Sequence, residues 1–323
     1  MPNGIAWTEA FGLLPVADRL RDTMLTVRGD AYTPKTKFGP SSLRIFRPRQ
    51  ALRLWTGHWA QERRAVIYNL FNHTPTPVEE GWSVRKTHVR DFRGGTLTYD
   101  SHNGTDFAIP LGTPVVAPAS ARVGLVTSEF NRGGLKVVLD HGDGLMTSHA
   151  HLGRALVEPG QIVRRGETFA LSGMSGLNGF LFFPWESPHL HMNVYWQGVA
   201  VDPFAVAGAG SLWRDDEPVP TRAAIESASV PTSHWDRAAL EAQVEACTHP
   251  ERRAWLAGIQ DTELLAAAVV HDRHYYPTRF TRTLPLYSRA SELTRRMDLP
   301  FSKNDVDGIC LLYTSPSPRD RTR

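Results

Sequence analysis

The chain has 323 residues, 41% of them hydrophobic and 21% charged, with a formal net charge of +3. That is an ordinary globular composition, long enough for two domains or for one with sizeable flanks, and it excludes general disorder. So small a charge gives no basis for strong non-specific nucleic-acid binding, and the two cysteines, Cys247 and Cys310, exclude both a disulfide framework and a cysteine-rich metal site.

No apolar run approaches the roughly 18 residues needed to span a bilayer. Residues 1–30 suggest an amphipathic helix through Phe11, Leu14, Val16, Leu20, Met24 and Leu25. Glu9, Asp18, Arg19, Arg21 and Asp22 interrupt that stretch, so no secretory signal peptide is expected in the chain as it stands. Residues 31–64 are basic with interleaved aromatics, among them Arg44, Arg47, Arg49, Arg53, Phe38, Phe46, Trp55 and Trp59. They read as a solvated face with its aromatics in the core; the competing reading is a surface for an anionic polymer such as a cell-wall glycan or nucleic acid. The two prolines of Asn72–Gly81 mark a linker, which places a boundary near residue 80.

From Trp82 to Phe204 short β-runs alternate with turn signals: Arg122–Thr127, Leu135–Asp140, Leu145–His151, Gln161–Val163, Thr168–Ser172 and His189–Tyr195. His141-Gly142-Asp143-Gly144 is a hairpin signal between two of them. The fold expected is α+β: a mainly antiparallel, sandwich-like sheet over 82–204, a mixed or helical flank over 1–80, and a small helical appendix over 205–309. Leu240, Val244, Leu256, Ile259, Leu264 and Leu265 give that appendix its helical spacing. His271-Asp272-Arg273-His274 reads as a surface cluster at a helix end. Residues 310–323 resemble translated adapter sequence rather than folded protein, which puts Cys310 in doubt.

Chemistry concentrates between His102 and His191. Six of the 13 histidines fall there, five of them in three clusters, with His102 and Asp106 four apart across Gly104, His149 and His151 two apart, and His189 and His191 two apart. Residues two apart on a strand share a face, so each His-x-His pair is expected to project together. Each pair alone is compatible with core histidines. All three in one β-domain supply what a hydrolytic zinc site needs, namely three ligands with an open position for water. They also leave spare imidazoles for acid–base work.

In order along the chain, His102-Asn103-Gly104-Thr105-Asp106-Phe107-Ala108, Gly112–Ala119, His151-Leu152, Pro159–Gly166, Ser172-Gly173 and Pro188-His189-Leu190-His191 carry a resemblance to the lysostaphin-type (LytM-like) zinc endopeptidases, over about residues 85–204. The resemblance implies one zinc ion on His102, Asp106 and His191. It also implies a catalytic pair, His151 and His189, and a peptidoglycan peptide as substrate, in the cell envelope or outside the cell. The chain departs from the family pattern at His149, where a tyrosine is usual, and at Met192-Asn193, where Phe-Glu is usual. The apolar segment 177–188, with Leu177, Phe180, Leu181, Phe182, Phe183 and Trp185, is longer than usual; it is expected either to wall the substrate groove or to pack on a flank. Two other readings compete. A catalytically silent module that binds peptidoglycan or activates another hydrolase would lack zinc. A lipoyl- or biotinyl-type carrier needs a lysine at a hairpin tip, whereas Lys136, the sole lysine between residues 88 and 204, lies inside a predicted strand.

Overall fold

The structure, a computed structural model, describes residues 4–74, 76–208, 210–214, 229–288 and 292–312. The N-terminal region supplies α1 (Trp7–Ala10), α2 (Val16–Arg28), α3 (Pro48–Trp55) and β1 (Arg64–Asn69). The central region supplies β2 (Thr105–Ala108), β3 (Pro114–Val116), β4 (Ala121–Glu129), β5 (Gly134–Asp140), β6 (Leu145–Ala155), β7 (Ile162–Val163), β8 (Thr168–Ser172), α4 (Leu177–Leu181), β9 (His189–Trp196) and β10 (Val199–Val201). The helices α5 (Arg237–Glu245), α6 (Pro250–Ala257) and α7 (Thr262–Tyr275) and the strand β11 (Gly308–Leu311) follow.

The expected runs between Arg122 and Tyr195 form strands, and the Asp-Gly signal turns the chain between β5 and β6 with Gly142, Asp143 and Gly144 all at positive φ. The sheet runs β11-β1-β2-β9-β6-β5-β4-β7, with β10 on β9 and with β8 paired to β6 and β3. Every pairing is antiparallel except β11 on β1. The fold is therefore mixed, with helices around a large, mostly antiparallel sheet.

Alternation along the strands gives the sheet two apolar faces. On one, Phe107, Val123, Val137, Leu139, Leu190, Met192 and Val194 share a core with Trp213, Met297, Leu299 and Phe301. On the other, Leu125, Val138, Met146 and Tyr195 pack against Leu240, Val244, Leu256, Leu265 and Val269 of the C-terminal helices. Gly124 permits that contact, because a Cβ there would lie 2.4 Å from the Cβ of Ala267 on α7.

Several expectations need correction. The edges placed near residues 80 and 205 are not seams in the packing. β1, from the N-terminal flank, pairs with β2 inside the sheet, and the C-terminal helices share a core with β4, β5 and β9 rather than forming an appendix. The expected linker is tied down at Asn72, whose N–H donates to the carbonyl of His102 (2.9 Å). The edge at 310 cuts through β11, where Cys310 pairs with Val66; residues 313–323 lie outside the described residues. The apolar face expected for α2 is turned outward: Val16, Leu20, Met24 and Val27 are exposed, while Arg19 and Asp22 are buried. Asp22 earns its place by accepting the N–H of Phe130 (2.8 Å) at the end of β4. His271 and Asp272 are fully buried, not on the surface. His271 Nε2 faces Glu129 (3.3 Å), and Arg252 grips Asp272 through Nε and Nη2 (2.5 and 2.8 Å). In the basic stretch, Trp55 lies in the core with Phe11 and Ala51, whereas Phe46 is half-buried against Phe182 and Phe38 is exposed, so only part of the expected aromatic set turns inward.

Asp140 joins the hairpin to the lead-in of the helices. Oδ1 accepts from the N–H of Gly142 (2.9 Å) and from Ser233 Oγ (3.0 Å), and Oδ2 accepts from Trp235 Nε1 (3.0 Å). Burial pushes its carboxyl from the ordinary 3.8 up to about 6, against the pull of those donors. The folded acid thus holds its proton to a higher pH than the unfolded one, so its contribution to stability falls as pH rises through that window. Urea unfolding of the wild type and Asp140→Asn at about pH 4 and about pH 7 checks the sign. The advantage of the wild type over the variant is expected to shrink toward neutrality, and an advantage that grows would contradict the assignment.

Candidate metal centre

The site is built on β2 and β9. Asp106 and His191 are cross-strand partners, as are Ala108 and His189, so His189, His191 and Asp106 share one face. His102 enters from the loop before β2, its Nδ1–H donating to the carbonyl of Leu70 (2.6 Å). Three ligand-type atoms meet: His102 Nε2 lies 3.1 Å and His191 Nδ1 2.7 Å from Asp106 Oδ1, and the two nitrogens are 3.2 Å apart. All three side chains are buried. The second carboxylate oxygen accepts from Asn69 Nδ2 (2.9 Å). Burial would raise the carboxyl of Asp106, but His102 and His189 beside it hold it well below the usual range.

These residues fit a divalent cation. Two imidazole nitrogens facing each other across one carboxylate oxygen are a borderline N/O donor set of the type zinc takes. The outer hydrogen bonds from Asn69 and to Leu70 fix the carboxylate and the His102 tautomer, as outer partners of metal ligands do. Gly104 is required by space: a Cβ there would lie 2.8 Å from His191 Nε2 and 2.6 Å from the carbonyl of Met192. Among the described residues a second group of three ligand-type side chains, Glu129, His271 and Asp272, is already neutralised, since Lys136 pairs with Glu129 (2.8 Å) and Arg252 with Asp272 (2.5 Å).

His151 reaches the same centre by a backbone irregularity. The β5–β6 register slips between Leu135/Leu152 and Val137/His149, leaving an extra residue on β6. His151 itself sits at φ 58°, in the left-handed region. Such a bulge re-aims a side chain. Its ring centroid lies 4.5 Å from that of His189. This overturns the expectation that His149 and His151 share a face. His149 pairs with Met192 and packs on Phe169 (4.9 Å between centroids) in the core; burial pushes its pKa down to about 3.

The Nδ1–H of His151 donates to the carbonyl of Ser175 (2.8 Å). A carbonyl only accepts, so Nε2 carries the lone pair. His189 is set the same way, with Nδ1 2.8 Å from the carbonyl of Ser187 and 2.7 Å from the Tyr68 hydroxyl. Burial lowers both imidazoles, His151 strongly, which keeps them neutral.

The centre opens into a groove of 390 Å³. The apolar 177–188 segment does both things expected of it as alternatives. Leu177, Leu181 and Phe182 line the groove, while Phe180 and Phe183 pack edge-on against Phe11, and Phe183 also against Trp55. Tyr68 and Asn69 were missed in the sequence. Their only signal was the apolar run Ala65–Tyr68, which marks a strand without saying which strand it joins.

Residues 100–203 match Peptidase family M23. Over 127 residues the chain is 36% identical to the peptidoglycan DD-endopeptidase ShyA of Vibrio cholerae, a match covering 39% of this chain and 28% of that protein. Over 110 residues it is 39% identical to an uncharacterized metalloprotease of Haemophilus influenzae, covering 34% and 22%. Among solved structures, the catalytic domain of the antimicrobial peptidase lysostaphin from Staphylococcus simulans is 29% identical, with a TM-score of 0.28, over 32% of this chain and 75% of that one. The chain thus spans less than a third of the length of these curated relatives. Over residues 100–203 the chain carries a Peptidase family M23 domain.

Proposed function

We propose that the chain is a zinc-dependent endopeptidase that hydrolyses peptide bonds in peptidoglycan cross-links. The observation that carries this reading is the convergence of His102 Nε2, Asp106 Oδ1 and His191 Nδ1 beside two neutral imidazoles at one end of a groove. The similarity to a protein named a peptidoglycan DD-endopeptidase supports the substrate.

In this reading His102, Asp106 and His191 hold the ion. When bound, zinc polarises the substrate carbonyl and lowers the pKa of a water to about 7. The residues of the chain supply the rest. His151, its Nδ1–H fixed on Ser175, presents an unprotonated Nε2 that takes the proton of the attacking water and returns it to the leaving amine. His189 stands across from it, its orientation set by Ser187 and Tyr68; its Nε2 takes up a proton first and then donates that N–H to the carbonyl oxygen as charge develops there. The apolar groove walls exclude water and hold the peptide extended past these groups.

The first test is the zinc content of the purified chain together with digestion of isolated peptidoglycan. The expected outcome is about one zinc per chain, retained in His151→Ala while turnover falls by at least about 100-fold. Absence of zinc, or undiminished turnover in the variant, would sink the reading. Gly104→Ala should weaken zinc at least about tenfold in competition with a chelator, because its Cβ displaces the His191 ring. Tyr68→Phe removes one hydrogen bond to His189 and should lower kcat by about three- to tenfold with zinc content unchanged. Unchanged kcat would show that Ser187 alone orients the ring.

A further inference from the structure

Helix α2 is set with its apolar stripe in water. Leu14, just before it, and Val16, Leu20 and Val27 on it are 58–65% exposed, and Met24 lies between them on the same side. The orientation is held from within. Arg19 Nη2 donates to the carbonyl of Leu14 (2.6 Å) and to Ser128 Oγ (3.0 Å), and Asp22 accepts the N–H of Phe130 (2.8 Å). Rolling the stripe inward would break the bonds to Ser128 and Phe130, so its exposure is built into the fold.

A second apolar strip joins the first. Phe180, Leu181, Phe183 and Trp185 of the 177–188 segment are 45–55% exposed. The strips meet where Val27, Phe38, Leu181 and Phe182 line one groove, with Phe38 stacked on Phe182 (5.5 Å between centroids). The basic stretch borders both: the N–H of Arg47 donates to the carbonyl of Trp185 (3.3 Å), and Phe46 packs on Phe182. Arg21, Arg28, Lys35, Arg44, Arg49 and Arg53 are exposed around them. Residues 31–61 contain no acidic residue, and 177–185 contain no charged one. Arg21 pairs with Asp18 (3.3 Å); among the described residues no carboxylate pairs with the other five cations.

Single exposed apolar residues are ordinary on a protein surface, but nine in two joined strips mark a contact face. The surrounding cations decide what it meets. A second copy of the chain would bring the same cations against them. A soluble polyanion would pair with the arginines and leave Leu14, Val16 and Leu20 in water. An anionic bilayer supplies both partners, phosphates at its surface and hydrocarbon just beneath. Among the described residues no helix is long and apolar enough to cross a membrane, so the contact is with the bilayer surface.

We propose that this face docks on the surface of an anionic phospholipid bilayer. The apolar side chains of α2 and of the 177–188 segment enter the boundary between headgroups and acyl chains, and the arginines meet the phosphates. The contact needs neither zinc nor turnover.

The test is co-sedimentation of the full chain with vesicles of phosphatidylcholine alone and of phosphatidylcholine mixed equally with phosphatidylglycerol. The wild type should partition onto the mixed vesicles at least about tenfold more strongly than onto phosphatidylcholine. Leu20→Ser/Met24→Ser should lower that partitioning at least about tenfold. Arg44→Gln/Arg49→Gln/Arg53→Gln should lower it about 100-fold. All five positions are exposed, and thermal melting reports whether each variant is folded; the wild-type comparison stands by itself if one is not. Failure of the wild type to bind the mixed vesicles overturns the proposal. A serine variant that binds them as the wild type does, with equal binding of both to soluble dextran sulfate, overturns it in favour of an anionic polymer. A wild-type dimer in sedimentation equilibrium that the serine variant dissociates overturns it in favour of a second copy.

Discussion

One buried carboxylate governs the arrangement of the centre. Asp106 has no solvent to stabilise its charge: Asn69 donates to one oxygen, and the other faces the ligand-type nitrogens of His102 and His191. Meeting that requirement fixes three separate parts of the chain. β1 must lie beside β2 to deliver Asn69, β9 must register His191 opposite Asp106, and the loop before β2 must return His102 over Leu70. A cation bound among the three ligand atoms would satisfy the same charge, so the demand that orders the site is one that a metal ion would also meet.

The His151–His189 side of the centre depends on a second constraint, a break in the regular alternation of β6. An unbroken strand would send His151 to the core side, where His149 goes. The extra residue at Ala150–His151 and the left-handed conformation of His151 bring that ring out beside His189 instead. The left-handed conformation costs on the order of 1 kcal/mol for a non-glycine residue. Two hydrogen bonds oppose it, from the N–H of His151 to Gly133 and from its Nδ1 to Ser175.

The flanks act as part of the site. The N-terminal region provides Tyr68 against His189 and Asn69, Val27 and Phe38 to the groove lining, while α7 adds Tyr275, whose hydroxyl donates to Asn193 Oδ1 (2.7 Å). The aromatic contacts of Phe180 and Phe183 with Phe11 and Trp55 lock the 177–188 segment to the N-terminal region.

The sequence by itself determined the strands between Arg122 and Tyr195, the hairpin at Gly142–Gly144 and the residues that meet at the centre. Alternation, Asp-Gly turns and ligand-type residues at short spacings are local properties. Tertiary structure decided the rest. Whether Ala65–Asn69 joins the sheet depends on an edge supplied by β2 far along the chain. Whether α2 turns Arg19 and Asp22 inward depends on Asp22 finding the N–H of Phe130. The divergence of His149 and His151 could not be read from a two-residue spacing, because a bulge is set by how three strands register rather than by the strand that carries it.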